Sequence, residues 1–306
     1  MNLLAIDGGG IRGVYASHIL ERIQDELKIE FHNKFDLISG TSTGAIIAAA
    51  VAFGIPVSRV TELYRIAGPS IFKSKRYAFG GIFASRYPSD PLREALVSVF
   101  EGARLSDAKT RLVIPATDIG NGRVHVFKSN YDKNFIRDYN VSVVDAVLSS
   151  CSAPTYFSPV RVGPYQLCDG GLWANNPSAV ALIEAITRLG AERSAIRLLS
   201  IGTGIGKNYY AVSNKRKRWG FLTDWKVDKF ISMLLNLQAE MSNNNARLML
   251  ESDQFVRVNF ESDLPLFLDD VGFIGDLISR ADRDFINSFK SIQDLLGASN
   301  ETDRTF

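Results

Sequence analysis

The chain has few of the residues that usually mark a site. It holds two cysteines and three histidines in 306 residues. Cys151 and Cys168 are not in C-x-x-C spacing, so reduced, buried thiols are expected rather than a redox pair or a zinc ribbon. No cluster of His, Cys, Asp and Glu has ligand spacing, and no metal is expected. No apolar run reaches about 18 residues, so there is no transmembrane candidate. A strand-like segment starting at residue 3 leaves no room for a signal peptide, which points to a cytoplasmic location. A net charge of +2 does not argue for DNA or RNA. There is no internal repeat and no low-complexity segment. The remainder, 46% hydrophobic and 22% charged, is ordinary for a soluble globular protein. One domain over 1–306 is expected, with a core at about 3–260 and a closing helical segment at about 270–297.

What is present is a serine between glycines. Gly40-Thr41-Ser42-Thr43-Gly44 follows the apolar run Phe35-Asp36-Leu37-Ile38-Ser39 and precedes an Ala/Ile-rich helical stretch at 45–53. This G-x-S-x-G pattern is that of a nucleophile elbow, in which a strand, a sharp turn and a helix present a hydroxyl at a sheet edge. The plain alternative is a strand-to-helix turn that happens to contain serine.

A second glycine cluster lies near the start. Leu3-Leu4-Ala5-Ile6 reads as a buried strand, and 14–27 as a helix. Between them stand Asp7-Gly8-Gly9-Gly10-Ile11-Arg12-Gly13. Three successive glycines let N–H groups converge beside a helix N-terminus, and such a nest favours negative charge. Strand, helix and strand form one right-handed βαβ unit. If its strands are neighbours, the glycine loop and the elbow meet, and Gly8, Gly9 and Gly10 are candidates for an oxyanion hole. The same residues fit G-x-G-x-x-G, but the dinucleotide fingerprint wants an acid at the end of the second strand. Asp36 lies at its beginning.

A serine needs a base. His18 falls in the first helix, His32 in a connection and His125 in an alternating, strand-like stretch. None lies beside a late glycine-rich turn. Asp169 does, in Asp169-Gly170-Gly171 after Tyr165-Gln166-Leu167-Cys168. Burial raises a carboxylate above about 3.9 and makes a Ser–Asp dyad workable. The alternative is a glycine-flanked turn residue.

Together these three motifs resemble the patatin-like phospholipase family over roughly residues 3–260. Intermediate segments match as well: Tyr87 with Pro91-Leu92, Ile114-Pro115-Ala116-Thr117-Asp118, Ser152-Ala153-Pro154-Thr155-Tyr156-Phe157 and Leu199-Ser200-Ile201-Gly202-Thr203-Gly204. The resemblance implies a three-layer αβα fold with a mostly parallel central sheet. It implies Ser42 as nucleophile, Asp169 as base, the Gly8–Gly10 backbone as oxyanion hole with Arg12 shaping it, and no catalytic metal. The implied activity is hydrolysis of fatty-acyl esters in phospholipids or galactolipids. Some bacterial relatives of this compact architecture are antiviral effectors switched on by cyclic dinucleotides.

The rest of the chain continues the alternation. Residues 55–67, 91–100, 144–150 and 178–189 read as helices, and 111–117, 123–127 and 197–201 as strands. Three segments stay open. Residues 68–89 carry Phe72, Tyr77, Phe79, Phe83 and Tyr87 with Lys73, Lys75, Arg76 and Arg86, and no acid. They read as a membrane-facing lid or as a packed subdomain. Residues 207–218 hold Lys207, Lys215, Arg216, Lys217 and Arg218 with Tyr209 and Tyr210. They read as a solvated loop, or as a contact for an anionic membrane or a cyclic-dinucleotide activator. The helix at 228–250 carries Met233, Leu237 and Met241 at four-residue spacing, either core or the face of a homodimer or higher oligomer. The reading is therefore a serine lipid hydrolase acting peripherally at the inner membrane. The alternatives are a small-ester or thioester hydrolase and a lipid-binding module with an idle dyad.

Overall fold

The computed structural model describes residues 1–73, 81, 84–207, 210, 218–220 and 223–297. In order the elements are β1 (Asn2–Ile6), α1 (Gly13–Leu27), α2 (Phe31–Lys34), β2 (Leu37–Gly40), α3 (Thr43–Ala52), α4 (Val57–Ile71), α5 (Asp90–Phe100), β3 (Arg111–Asp118), β4 (Arg123–Lys128) and α6 (Val143–Cys151). There follow β5 (Val160–Val162), β6 (Tyr165–Asp169), α7 (Gly171–Ala174), α8 (Ser178–Thr187), β7 (Arg197–Ile201), β8 (Ile205–Gly206), α9 (Val227–Met249), β9 (Phe255–Val258), β10 (Glu261–Ser262) and α10 (Ile274–Leu296).

The main sheet has the order β5-β6-β3-β2-β1-β7-β9, with β4 also on β3. Strands β3, β2, β1, β7 and β9 run parallel; β4 and β6 run antiparallel to β3. The sheet is buried on both faces, and period-2 alternation feeds two cores. Leu4 and Ile6 of β1 join the larger core with α1, α3, α4 and α10, while Leu3 and Ala5 join the smaller one with α8 and the end of α9. This is the expected three-layer αβα arrangement with a mostly parallel sheet.

Register brings the motifs together. Leu3 lies opposite Leu37 and Ile6 opposite Gly40, so β1 and β2 end on the same edge. Ser39 lies opposite Val113, and Ala116, three residues on, lies opposite Asp169. Ser42 is likewise three residues beyond Ser39. The antiparallel β6 therefore delivers Asp169 at the height of the elbow.

Four strands were not foreseen. β5, β8 and β10 are short; β9 carries Arg257 inside an otherwise apolar run, which hides its burial.

Candidate active site

Ser42 sits at φ 54° and ψ −125° between β2 and α3. That left-handed conformation costs a side-chain-bearing residue about 1–3 kcal/mol and persists only where its surroundings impose it. Here they do. The Ser42 amide donates to Ser150 Oγ at 2.9 Å, and Ser150 Oγ donates to Pro115 O at 2.6 Å. The amides of Gly44 and Ala45 bond back to Thr41 O and Ser42 O, both at 2.8 Å. The flanking glycines are required by close approach. A Cβ on Gly40 would stand 2.1 Å from Gly44 O, and one on Gly44 would stand 2.3 Å from Ile6 O.

Asp169 ends β6 and is 5% exposed. One carboxylate oxygen accepts the Gly171 amide at 2.7 Å, and the Ser42 side chain lies close enough to hold down the carboxyl's pKa. Burial pushes its pKa up to about 6, with Gly171 and Ser42 opposing the rise. At neutral pH the group is an ionised, poorly solvated carboxylate beside a hydroxyl. Its backbone is fixed by Asp169 N–H donating to Ser152 O at 3.0 Å and by Thr117 Oγ1 donating to Asp169 O at 2.8 Å.

The glycine loop lies beside both. Gly9 and Gly10 line the pocket that contains Ser42 and Asp169. Gly8 does not: its amide donates to Asn175 O at 2.9 Å. The expected three-glycine nest thus narrows to two, because Gly8 is committed to holding the turn after Asp169. The loop is braced by a residue the sequence reading assigned no role. Thr203 Oγ1 donates to Gly8 O at 2.7 Å, so close that a Cβ on Gly9 would stand 2.2 Å from it. Arg12 is buried against the loop, its Nε donating to Gly9 O at 3.1 Å and its Nη1 to Gly204 O at 2.9 Å. Burial lowers its pKa to about 10, so it stays charged at neutral pH. Asp7 holds Arg257 of β9 through both carboxylate oxygens, one contact at 2.8 Å. No local pattern reveals that pair, since its members are 250 residues apart.

From the dyad a cavity of about 60 Å³ runs between Ile46, Leu63, Ile71, Phe72, Phe157 and Leu235, among others. Cys151 also lines it, its thiol kept protonated by burial and by the nearby Asp169 carboxylate. The histidines are elsewhere. His18 bonds Asp282 at 3.0 Å, and His32 lies beside Glu30. His125 is packed between the rings of Phe127 and Tyr165, and burial lowers its pKa to about 4.

A family model described as patatin-like phospholipase matches residues 4–182, a span that includes the glycine loop, the elbow and Asp169. The chain belongs to the patatin-like phospholipase family. Curated relatives of this family member include a cGAMP-activated phospholipase of Pseudomonas aeruginosa, 34% identical over 66% of this chain and 62% of its own length. A cGAMP-activated phospholipase of Vibrio cholerae is 31% identical over 82% and 77%. A cUMP-AMP-activated phospholipase of Escherichia coli is 33% identical over 66% and 64%. The chain thus spans less than two thirds of the Pseudomonas and Escherichia relatives just named.

Within this patatin-like chain the open segments resolve in part. Phe72 and Tyr87 pack edge to face with ring centroids 5.4 Å apart, and Tyr87 is buried. Arg86 pairs with Asp269 at 2.7 Å and lies over the Tyr156 ring. At these three residues the packed reading holds. Lys75, Arg76, Tyr77, Phe79 and Phe83 lie outside the described residues, as do Tyr209, Lys215, Arg216 and Lys217. Lys207 is paired with Asp263 at 2.7 Å, the Arg218 amide donates to Asp224 at 2.7 Å, and neither residue lines the catalytic pocket. Ile231 and Leu235 of α9 face that pocket, while Leu237 and Met241 are more than half exposed. The core reading therefore fails for Leu237 and Met241. Among the described residues no helix is long and apolar enough to cross a membrane, and no cluster could hold a metal ion.

Proposed function

We propose that the chain is a serine acyl hydrolase that removes fatty-acyl chains from membrane glycerophospholipids. The observation that carries this is the placement of Ser42 and Asp169 together at a strained elbow, opening on a pocket lined mainly by apolar side chains. Ser42 Oγ attacks the ester carbonyl carbon while its proton passes to the Asp169 carboxylate. The carbonyl oxygen becomes an oxyanion beside Gly9 and Gly10, whose amides are the donors on the pocket wall. The tetrahedral intermediate collapses, the C–O bond to the glycerol breaks, and the Asp169 proton goes to the departing alkoxide. Water then attacks the acyl-Ser42 ester, Asp169 takes its proton, and the free fatty acid leaves as Ser42 Oγ is reprotonated. A carboxylic acid with a pKa of about 6 suits both directions of transfer near neutral pH.

The relatives named for activation by cGAMP or cUMP-AMP support a second element: low resting activity raised by a cyclic dinucleotide. The bilayer is then a peripheral substrate. One experiment tests both elements. Phosphatidylglycerol/phosphatidylethanolamine vesicles are incubated with the protein and with Ser42→Ala, each with and without 3′,3′-cyclic GMP–AMP. Fatty acid released by the parent alone, and faster with nucleotide, is expected. Release by Ser42→Ala at a comparable rate overturns the assignment.

A further inference from the structure

A second cavity lies against the catalytic pocket, with Leu235 and Leu268 forming a wall common to both. Its chemistry is different. It is lined by Arg12, Lys207, Lys229, Ser232 and Asn236, with Phe267 at the rim, and by no acidic side chain among the described residues. Helix α9 builds both walls. Ile231 and Leu235, at i and i+4, face the acyl pocket; Lys229, Ser232 and Asn236, at i, i+3 and i+7, form the neighbouring stripe and face the polar cavity.

The charge beneath this cavity is unbalanced. Arg12 is 6% exposed, and the buried carboxylate nearest in the chain, Asp7, is already held through both oxygens by Arg257. Two guanidinium groups thus face one carboxylate in the interior. Arg12 spends its Nε and Nη1 on Gly9 O and Gly204 O, and no acceptor among the described residues meets its Nη2. That nitrogen is open to the cavity rather than sealed in protein, and an anion with several acceptor oxygens would complete its partners. Lys229 adds a second cation, and Ser232 and Asn236 add neutral donors, the set expected for a singly charged tetrahedral oxyanion rather than a bare halide.

We infer that the cavity walled by Arg12, Lys229, Ser232 and Asn236 binds a phosphodiester. The position fits, because Arg12 follows the oxyanion loop by two residues. A phosphate held there would lie one side chain away from the scissile ester, as it does in a glycerophospholipid. The phosphodiester of a cyclic dinucleotide carries the same chemistry, and the half-exposed Phe267 offers a ring for a base. Only the lipid source rests on the acyl-hydrolase reading.

The test measures binding to the uncleaving Ser42→Ala protein, so it does not depend on turnover. Three probes are titrated calorimetrically: monomeric dihexanoylphosphatidylcholine, dihexanoylglycerol, which lacks the phosphate, and 3′,3′-cyclic GMP–AMP. Either the phospholipid binds at least tenfold tighter than the diacylglycerol, or the nucleotide binds with micromolar affinity. Adding Lys229→Glu then abolishes that preference or weakens that Kd at least tenfold, and Lys229→Arg retains it. The first result assigns the site to the lipid headgroup, the second to the nucleotide. Asn236→Ala, a milder change, carries the same comparison if Lys229→Glu melts early. Affinities that ignore both substitutions in proteins with unchanged melting overturn the inference. Failure of the hydrolase reading would instead appear as parent protein inert to a fluorophosphonate, whatever the titrations give.

Discussion

Asp169→Asn should make the protein more stable and nearly inactive, and the stability gain should depend on pH. Burial raises the carboxyl from its ordinary 3.8 to about 6. Between those values the folded protein keeps a proton that the unfolded chain releases. Unfolding therefore becomes easier as pH rises through this window, by up to about 1.4 kcal/mol per pH unit and about 3 kcal/mol in total. Asparagine has the same shape and no charge. Its oxygen can still accept the Gly171 amide, now at 2.7 Å from the carboxylate, and its amide can donate to Ser42. The variant's stability relative to the parent should rise by about 2 kcal/mol between pH 4.5 and pH 7.5. Urea denaturation of both proteins at the two pH values measures this, and any constant effect of the substitution cancels in the comparison. Ester hydrolysis should fall about 10²–10⁴-fold, the usual loss on removing a general base. A stability difference that stays flat or shrinks with rising pH would show that Asp169 is an ordinary carboxylate and would remove the reason for naming it the base.

Other outcomes follow from the same geometry. The kcat/KM for a soluble ester should fall tenfold per pH unit below about 6 and level off above it, because only the ionised Asp169 accepts the proton; a fall centred near pH 4 in a pH–rate profile would contradict this. Gly44→Ala should destabilise the fold by about 1–3 kcal/mol or more and abolish activity, since its Cβ meets backbone at 2.3 Å from Ile6 O and 2.6 Å from Asp7 O; thermal melting and ester assay decide it. His18→Ala, His32→Ala and His125→Ala should each keep activity within a few-fold. His125→Ala alone should melt markedly earlier, because that ring is 3% exposed between two aromatics.

The βαβ unit that carries the proposed nucleophile was legible because its signals are local. Glycines 8–10, 40 and 44, after apolar strands, mark turns where neighbouring atoms come too close for any side chain. Asp169 was legible for the same reason, as a strand end followed by two glycines. What stayed hidden depends on distant residues. The antiparallel direction of β6 is set by long-range pairing: β2 meets only residues 111–113 of β3, β4 meets 113–118, and β6 pairs with 116–118. Strand β9 was missed because Arg257 looks like a surface residue until Asp7 is beside it. Gly8 is indistinguishable from its neighbours in sequence, and a distant acceptor, Asn175 O, sets it apart. The polar stripe of α9 carries no local signal, since Arg12 is more than 200 residues away from it.

The central claim is that Ser42, activated by Asp169, is the nucleophile. The most direct measurement is mass-spectrometric mapping of the adduct formed with a long-chain fluorophosphonate at pH 7.5. One adduct, on Ser42, is predicted in the parent, none in Ser42→Ala, and formation at least 100-fold slower in Asp169→Asn. An adduct on another residue, or one that persists in Ser42→Ala, would contradict the account.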